Sequence, residues 1–169
     1  PMPVAGLSTD AAYERTRRVQ MRAESRVSTA VQRLSAAEAR GTDQFDEWDR
    51  ELGRYEDPDL RHAAEANIAA MQGRHRAAVK HLKAAIESMA PLRRALADRV
   101  RFLDHNRDHA AVPSVETSEA ARTREAAART ELGRRLGEAD AAVEAFSSAI
   151  RPRPRAQENA PASGGGVSR

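Results

Sequence analysis

The sequence predicts an all-α protein, an elongated antiparallel three-helix coiled-coil bundle. Three observations predict it. Apolar side chains recur in 4-3 alternation along three long segments, the spacing of helices that share a seam. Ala, Glu, Leu and Arg dominate while aromatic residues are only 4 %, so a wide core is hard to fill but close helix approach is easy. Turn signals fall at two places and divide the apolar pattern into three.

The first helix is expected over about 9–55. Ser8, Thr9 and Asp10 offer N-cap side chains. Tyr13, Val27, Val31, Leu34, Phe45, Trp48, Leu52 and Tyr55 then hold one register, with Arg17, Gln20, Glu24, Glu38 and Gly41 as exceptions. The register agrees on both sides of Gly41, so one continuous helix is read through it, at a cost of about 1 kcal/mol relative to Ala. The alternative is a break at Arg40–Asp43.

Glu56-Asp57-Pro58-Asp59 ends the first helix and starts the second. Proline suits the first helical turn, Asp57 can cap it, and Asp59 favours the positive end of the dipole. The second helix is expected over about 58–109, with Ile68, Met71, His75, Ala78, Leu82, Ala85, Met89, Leu92, Leu96, Val100 and Leu103 on its seam. Pro91 removes one backbone donor and is expected to kink this helix rather than end it. After Ala111-Val112-Pro113, Ser114 can cap a third helix over about 114–150, with Leu132, Leu136, Ala139, Val143, Phe146 and Ile150 in 4-3 spacing. Residues 1–8 read as a disordered N-terminal segment and 151–169 as a disordered Pro/Arg/Gly tail. Segments of this length make a rod about 60–75 Å long at 1.5 Å rise per residue, with left-handed supercoiling.

The formal charge of +3 sits in the tail, where Arg151, Arg153, Arg155 and Arg169 oppose Glu158. The remaining body is neutral overall, which argues against a nucleic-acid surface. Arg-Pro-Arg-Pro-Arg could touch phosphates or anionic lipid, but so few arginines attract weakly and salt-sensitively. There is no cysteine, hence no disulfide or thiolate metal site. No apolar run approaches the roughly 20 residues that span a bilayer. The opening Pro1-Met2-Pro3 is not a translational start, so the native N-terminus is expected upstream.

Chemistry-bearing patterns are sparse. His105 and His109 are spaced i,i+4 with Asp108 beside them, which places two imidazoles on one helix side where they could share a divalent ion. A further ligand is not assigned, and the same residues suit a polar helix C-terminus where cations meet the dipole. His75 occupies a seam position and reads as a packing histidine, while His62 and His81 read as surface residues. Asp46 and Glu47 point away from the seam held by Phe45 and Trp48, so they do not make a buried acid/base pair. Phe45, Trp48, Leu52 and Tyr55, with Met89, Leu92, Phe102, Leu103 and Phe146, are the expected structural core anchors. No phosphate-binding loop, nucleophile elbow or cysteine nucleophile is present. The reading is therefore no enzyme, no cofactor and no small-molecule substrate.

Several short stretches recur in a recognisable order. They are Phe45-Asp-Glu-Trp48, Glu51-Leu52 followed by Tyr55, Leu60-Arg61, Met89-Ala-Pro91-Leu92, Val100-Arg-Phe-Leu-Asp-His-Asn106 and Glu138-Ala-Asp140. In this order and spacing the chain resembles an uncharacterised bacterial domain-of-unknown-function family of predicted envelope proteins and lipoproteins. The resemblance implies no catalytic residues. It implies a periplasmic place in the cell envelope, with an export signal or membrane tether upstream of residue 1. The Pro/Arg/Gly tail departs from the family's pattern. The expected role is a coiled-coil structural or scaffold protein that binds a protein partner or itself. The alternatives are a metal-binding helical protein using His105 and His109, or tail-mediated binding to nucleic acid or anionic surfaces.

Overall fold

The computed structural model describes residues 9–107 and 119–150, and these form four helices with no strand among the described residues. They are α1 (Thr9–Leu52), α2 (Pro58–Glu87), α3 (Ala90–His105) and α4 (Glu119–Ile150). The expected N-terminal segment, the expected start of the third helix at Ser114 and the expected tail lie outside the described residues.

α1 runs unbroken through Gly41 for 44 residues, about 66 Å of helix. It stops at Leu52 rather than at Tyr55. Gly53 has the weakest helix propensity after proline, and the chain then turns through Arg54 N–H to Glu51 O at 2.9 Å and Tyr55 N–H to Leu52 O at 3.3 Å. Asp57 caps α2: its carboxylate accepts from the N–H groups of Asp59 at 2.8 Å and Leu60 at 3.2 Å, with Pro58 opening the first turn. Those are two of the donors that a helix start leaves without partners.

The second expected helix is divided in two. Pro91 has no N–H for the Glu87 carbonyl, and its ring crowds that carbonyl. Here α2 ends at Glu87 and α3 begins at Ala90, which corrects the expectation of a kink within one helix. Ser88 and Met89 stay right-handed, at φ −66°, ψ −11° and φ −76°, ψ −16°. Met89 N–H turns back to Ile86 O at 3.2 Å, and the Ser88 hydroxyl donates to Ala85 O at 2.7 Å. The regular ladder resumes with Arg93 N–H to Met89 O at 3.0 Å. The chain thus passes from α2 to α3 without reversing.

Cross-helix contacts give the directions. Asp10 of α1 meets Arg107 just beyond α3, Glu24 meets Arg93, and Glu38 meets Lys83 of α2. Residue numbers rise on one side as they fall on the other, so α1 runs opposite to α2 and α3. Likewise His75 meets Phe146 and His81 faces Glu138, so α4 runs opposite to α2. The buried apolar residues are Tyr13, Val27, Leu34, Phe45, Ala78, Ala85, Leu103 and Ala139, distributed along the helices rather than gathered at one centre. Alanine supplies three of them, which is how helices with few large side chains still close on one another.

Of the expected anchors, Phe45 and Leu103 are buried, and Trp48, Leu52, Met89, Leu92 and Phe146 are half-buried. Tyr55 and Phe102 are corrections to that set, at 46 % and 38 % exposed. Tyr55 lies past the end of α1, where no helix remains to hold it on the seam. Phe102 is adjacent to the buried Leu103, and neighbours one residue apart on a helix point about 100° apart.

Candidate functional site

The densest side-chain constellation is where α1, α2 and α4 meet at His75. Its imidazole sits 5.5 Å from the Phe45 ring at 70° and 5.4 Å from the Phe146 ring at 60°. Trp48 extends the row, 5.6 Å from Phe45 and edge-on at 75°. Such tilted and T-shaped pairs add about 0.5–1.5 kcal/mol each beyond the area they bury. The row ties three helices together through one residue.

Gly41 makes room for it. A Cβ on Gly41 would lie 2.5 Å from both Cε1 and Nε2 of His75, well inside contact distance. The glycine that costs helix propensity is therefore the socket into which α2 places its histidine. Both residues hold seam positions in the sequence, and their matching distances from Pro58 are the signal that joins them. Beside the row, an open groove of about 550 Å³ is lined by Thr42, His75, Arg76, Val79, Lys80 and Lys83, among others. A second groove of about 830 Å³ runs past Trp48, Ile68, Met71, Arg74 and Ala145.

The other end of α1 is joined by charge. Arg107 donates from Nε and Nη2 to one Asp10 carboxylate oxygen, at 3.1 and 2.7 Å, and its guanidinium lies 4.4 Å from the Tyr13 ring centre. Arg93 grips Glu24 through both carboxylate oxygens. The hydrogen bonds to Asp10 and Glu24 push the two guanidiniums up from the usual arginine range, so both are fully charged at any physiological pH. On α4, hydrogen bonds from Arg134 and Arg135 hold the Glu131 carboxyl well below its usual range, at about 2.

Little convergent chemistry follows from this. No described cluster of three or more His, Asp or Glu could hold a metal ion. His105 is the exposed last residue of α3, and Asp108 and His109 lie outside the described residues, so the expected metal trio is not placed. His81 Nδ1 is 3.8 Å from Glu138, a surface pairing. The His75 ring is flanked by aromatic carbon on two sides, and no nucleophile among the described residues is hydrogen-bonded to it. The arrangement holds helices together. No helix among the described residues is long and apolar enough to cross a membrane.

Comparison with known proteins agrees in extent with the helical body. No curated protein and no solved structure matches the chain. Residues 3–146 match the family described as "Protein of unknown function (DUF2959)", a span that takes in the Phe45–His75–Phe146 row and both charged clasps. The chain belongs to the DUF2959 family of proteins of unknown function.

Proposed function

We propose that the protein is a non-enzymatic scaffold or spacer of the bacterial cell envelope, built as an elongated antiparallel coiled-coil bundle whose outer faces engage a protein partner. One observation carries this reading. The seam side chains with any chemical potential are occupied in joining helices: His75 by Phe45 and Phe146, Arg93 by Glu24, Arg107 by Asp10 and Tyr13. A site that turned over a substrate would need polar groups converging on an enclosed space. The grooves beside Trp48 and His75 are open, and Glu38 and Lys83 at the His75 groove are already paired with each other.

The envelope location rests on a resemblance, through the landmark order from Phe45 to Asp140, to a family of predicted envelope proteins. The experiment is photo-crosslinking in the native cell, with the reactive group at exposed positions such as Leu60 and Leu136, followed by cell fractionation. The reading expects the chain in the envelope fraction, cross-linked to a specific protein. A chain found in the cytosol without a cross-linked protein would overturn it, as would a stoichiometric bound metal after purification.

A further inference from the structure

Arginines among the described residues differ in how they are partnered. Arg61, Arg93, Arg101, Arg107, Arg129, Arg134 and Arg135 are all ion-paired. Arg15, Arg18, Arg22, Arg26 and Arg33 of α1 are exposed and have no ion pair or hydrogen bond to any described residue. Their spacings of three, four, four and seven put them on one face of the helix, a stripe about 27 Å long. Val19 lies on that face at 48 % exposed, and Met21 borders a shallow groove of about 360 Å³ with Arg18, Arg22, Ser25 and Arg26. Five like charges on one face repel one another unless an acidic surface covers them.

On α4 the same chain offers acidic groups beside exposed apolar residues. Over residues 136–150 α4 has no basic residue; Glu138 is paired with Arg134 and Arg135, while Asp140 and Glu144 are exposed. Leu136, Val143 and Ile150 recur there every seven residues and remain 49 %, 39 % and 51 % exposed. Asp140 and Glu144 flank this apolar edge, which is about 21 Å long.

Within one chain the two surfaces cannot meet. The arginine stripe lies level with α3, since Glu24 pairs with Arg93. The α4 edge lies level with α2, since Phe146 packs on His75, which also touches Phe45. Glu24 and Phe45 are 21 residues apart on α1, so the two surfaces are centred roughly 30 Å apart along the helix direction.

We propose that the arginine stripe of α1 docks on the Leu136–Ile150 edge of α4 in a second copy of this chain. Opposite charge supplies orientation and the exposed apolar residues of both surfaces supply burial. Two copies laid head to tail engage both surfaces of each. This names the partner for the scaffold reading and rests on it for its purpose.

Charge reversal tests it. One full-length variant has Arg18→Glu, Arg22→Glu and Arg26→Glu; the other has Asp140→Lys and Glu144→Lys. Each alone brings like charges together, whereas a mixture restores opposite charge at both contacts. Sedimentation equilibrium at low salt should show the wild-type chain associating, each variant weakened at least about tenfold, and the 1:1 mixture associating again, with all three weakened as salt shortens the screening length. Recovery in the mixture also shows that each variant folds. A wild-type chain that stays monomeric at low salt, or a mixture no tighter than either variant, overturns the pairing. So does a monomeric chain whose arginine stripe binds vesicles of anionic lipid. A monomer would leave the scaffold reading to its own cross-linking test.

Discussion

The two ends of α1 are held against their neighbours by different physics. Near its C-terminus, Gly41, Phe45 and Trp48 join α2 and α4 through His75 and Phe146, ring against ring. Near its N-terminus, Asp10, Tyr13 and Glu24 join Arg107 and Arg93 through charge and a cation over an aromatic ring. The same 4-3 pattern runs through both. What differs is what borders the buried residues: rings from three helices at one end, and exposed ion pairs beside the buried Tyr13, Val27 and Leu103 at the other. Aromatic packing is little affected by salt, while exposed ion pairs are screened by it. The first end should therefore be the stable one, and the second should be adjustable by conditions.

The largest effect is expected at the stable end. Phe45→Ala removes the ring that touches both Trp48 and His75 and should cost about 3 kcal/mol of unfolding free energy, read from urea denaturation. A loss below about 1 kcal/mol would mean that the row does not carry this end. Next is Gly41→Ala. Helix propensity alone would make it stabilising by about 1 kcal/mol. The new Cβ would fall on the His75 ring, so the variant should instead lose about 1–2 kcal/mol. Combining it with His75→Ala should return the propensity gain, giving a clear coupling in a double-mutant cycle.

Arg107→Ala should cost less than either, because its carboxylate partner Asp10 is exposed. Its deficit should shrink in high salt. Hydrogen exchange should show amides near 10–24 and 93–105 losing protection as salt rises, with those around 41–48 and 71–82 unchanged. Uniform loss at both ends would erase the distinction drawn above. The smallest effect concerns Glu131. Its carboxyl is depressed to about 2 by the Arg134 and Arg135 hydrogen bonds. A depressed acid contributes above its unfolded pKa, near 4.3, and loses that contribution as pH falls through about 2. Glu131→Gln should therefore lower the thermal midpoint slightly at pH 7, flatten the acid limb between about pH 4 and 2, and match the wild-type chain near pH 2.

Much of the fold was legible in the residues, and the reason is geometric. In two helices joined by a short turn, partners lie at equal distances from it. Gly41 is seventeen residues before Pro58 and His75 is seventeen after, while Glu24 and Arg93 lie thirty-four and thirty-five away. Counting outward from Asp57-Pro58 pairs them. The interruption at Ser88–Met89 was less legible. The apolar register continues across Pro91, and the register reports which face is buried, not whether each backbone bond is made. Tyr55 fits the spacing, but the helix ends before Gly53 and leaves it off the seam. The candidate site was the least legible part. Aromatic and charged seam residues look alike as pattern, and only their neighbours show that His75 meets rings and Arg107 meets a carboxylate.

The central claim is that α1 lies antiparallel beside α2 and α3, so that its N-terminal end meets the end of α3. The absence of cysteine makes spin labelling direct. Labels at Arg15→Cys and Arg101→Cys, diluted with unlabelled chain, should be within about 20 Å of each other. Labels at Arg15→Cys and His62→Cys should be roughly 60 Å apart, the length of helix between their levels. A long first distance with a short second, or two equal distances from a compact body, would contradict the account.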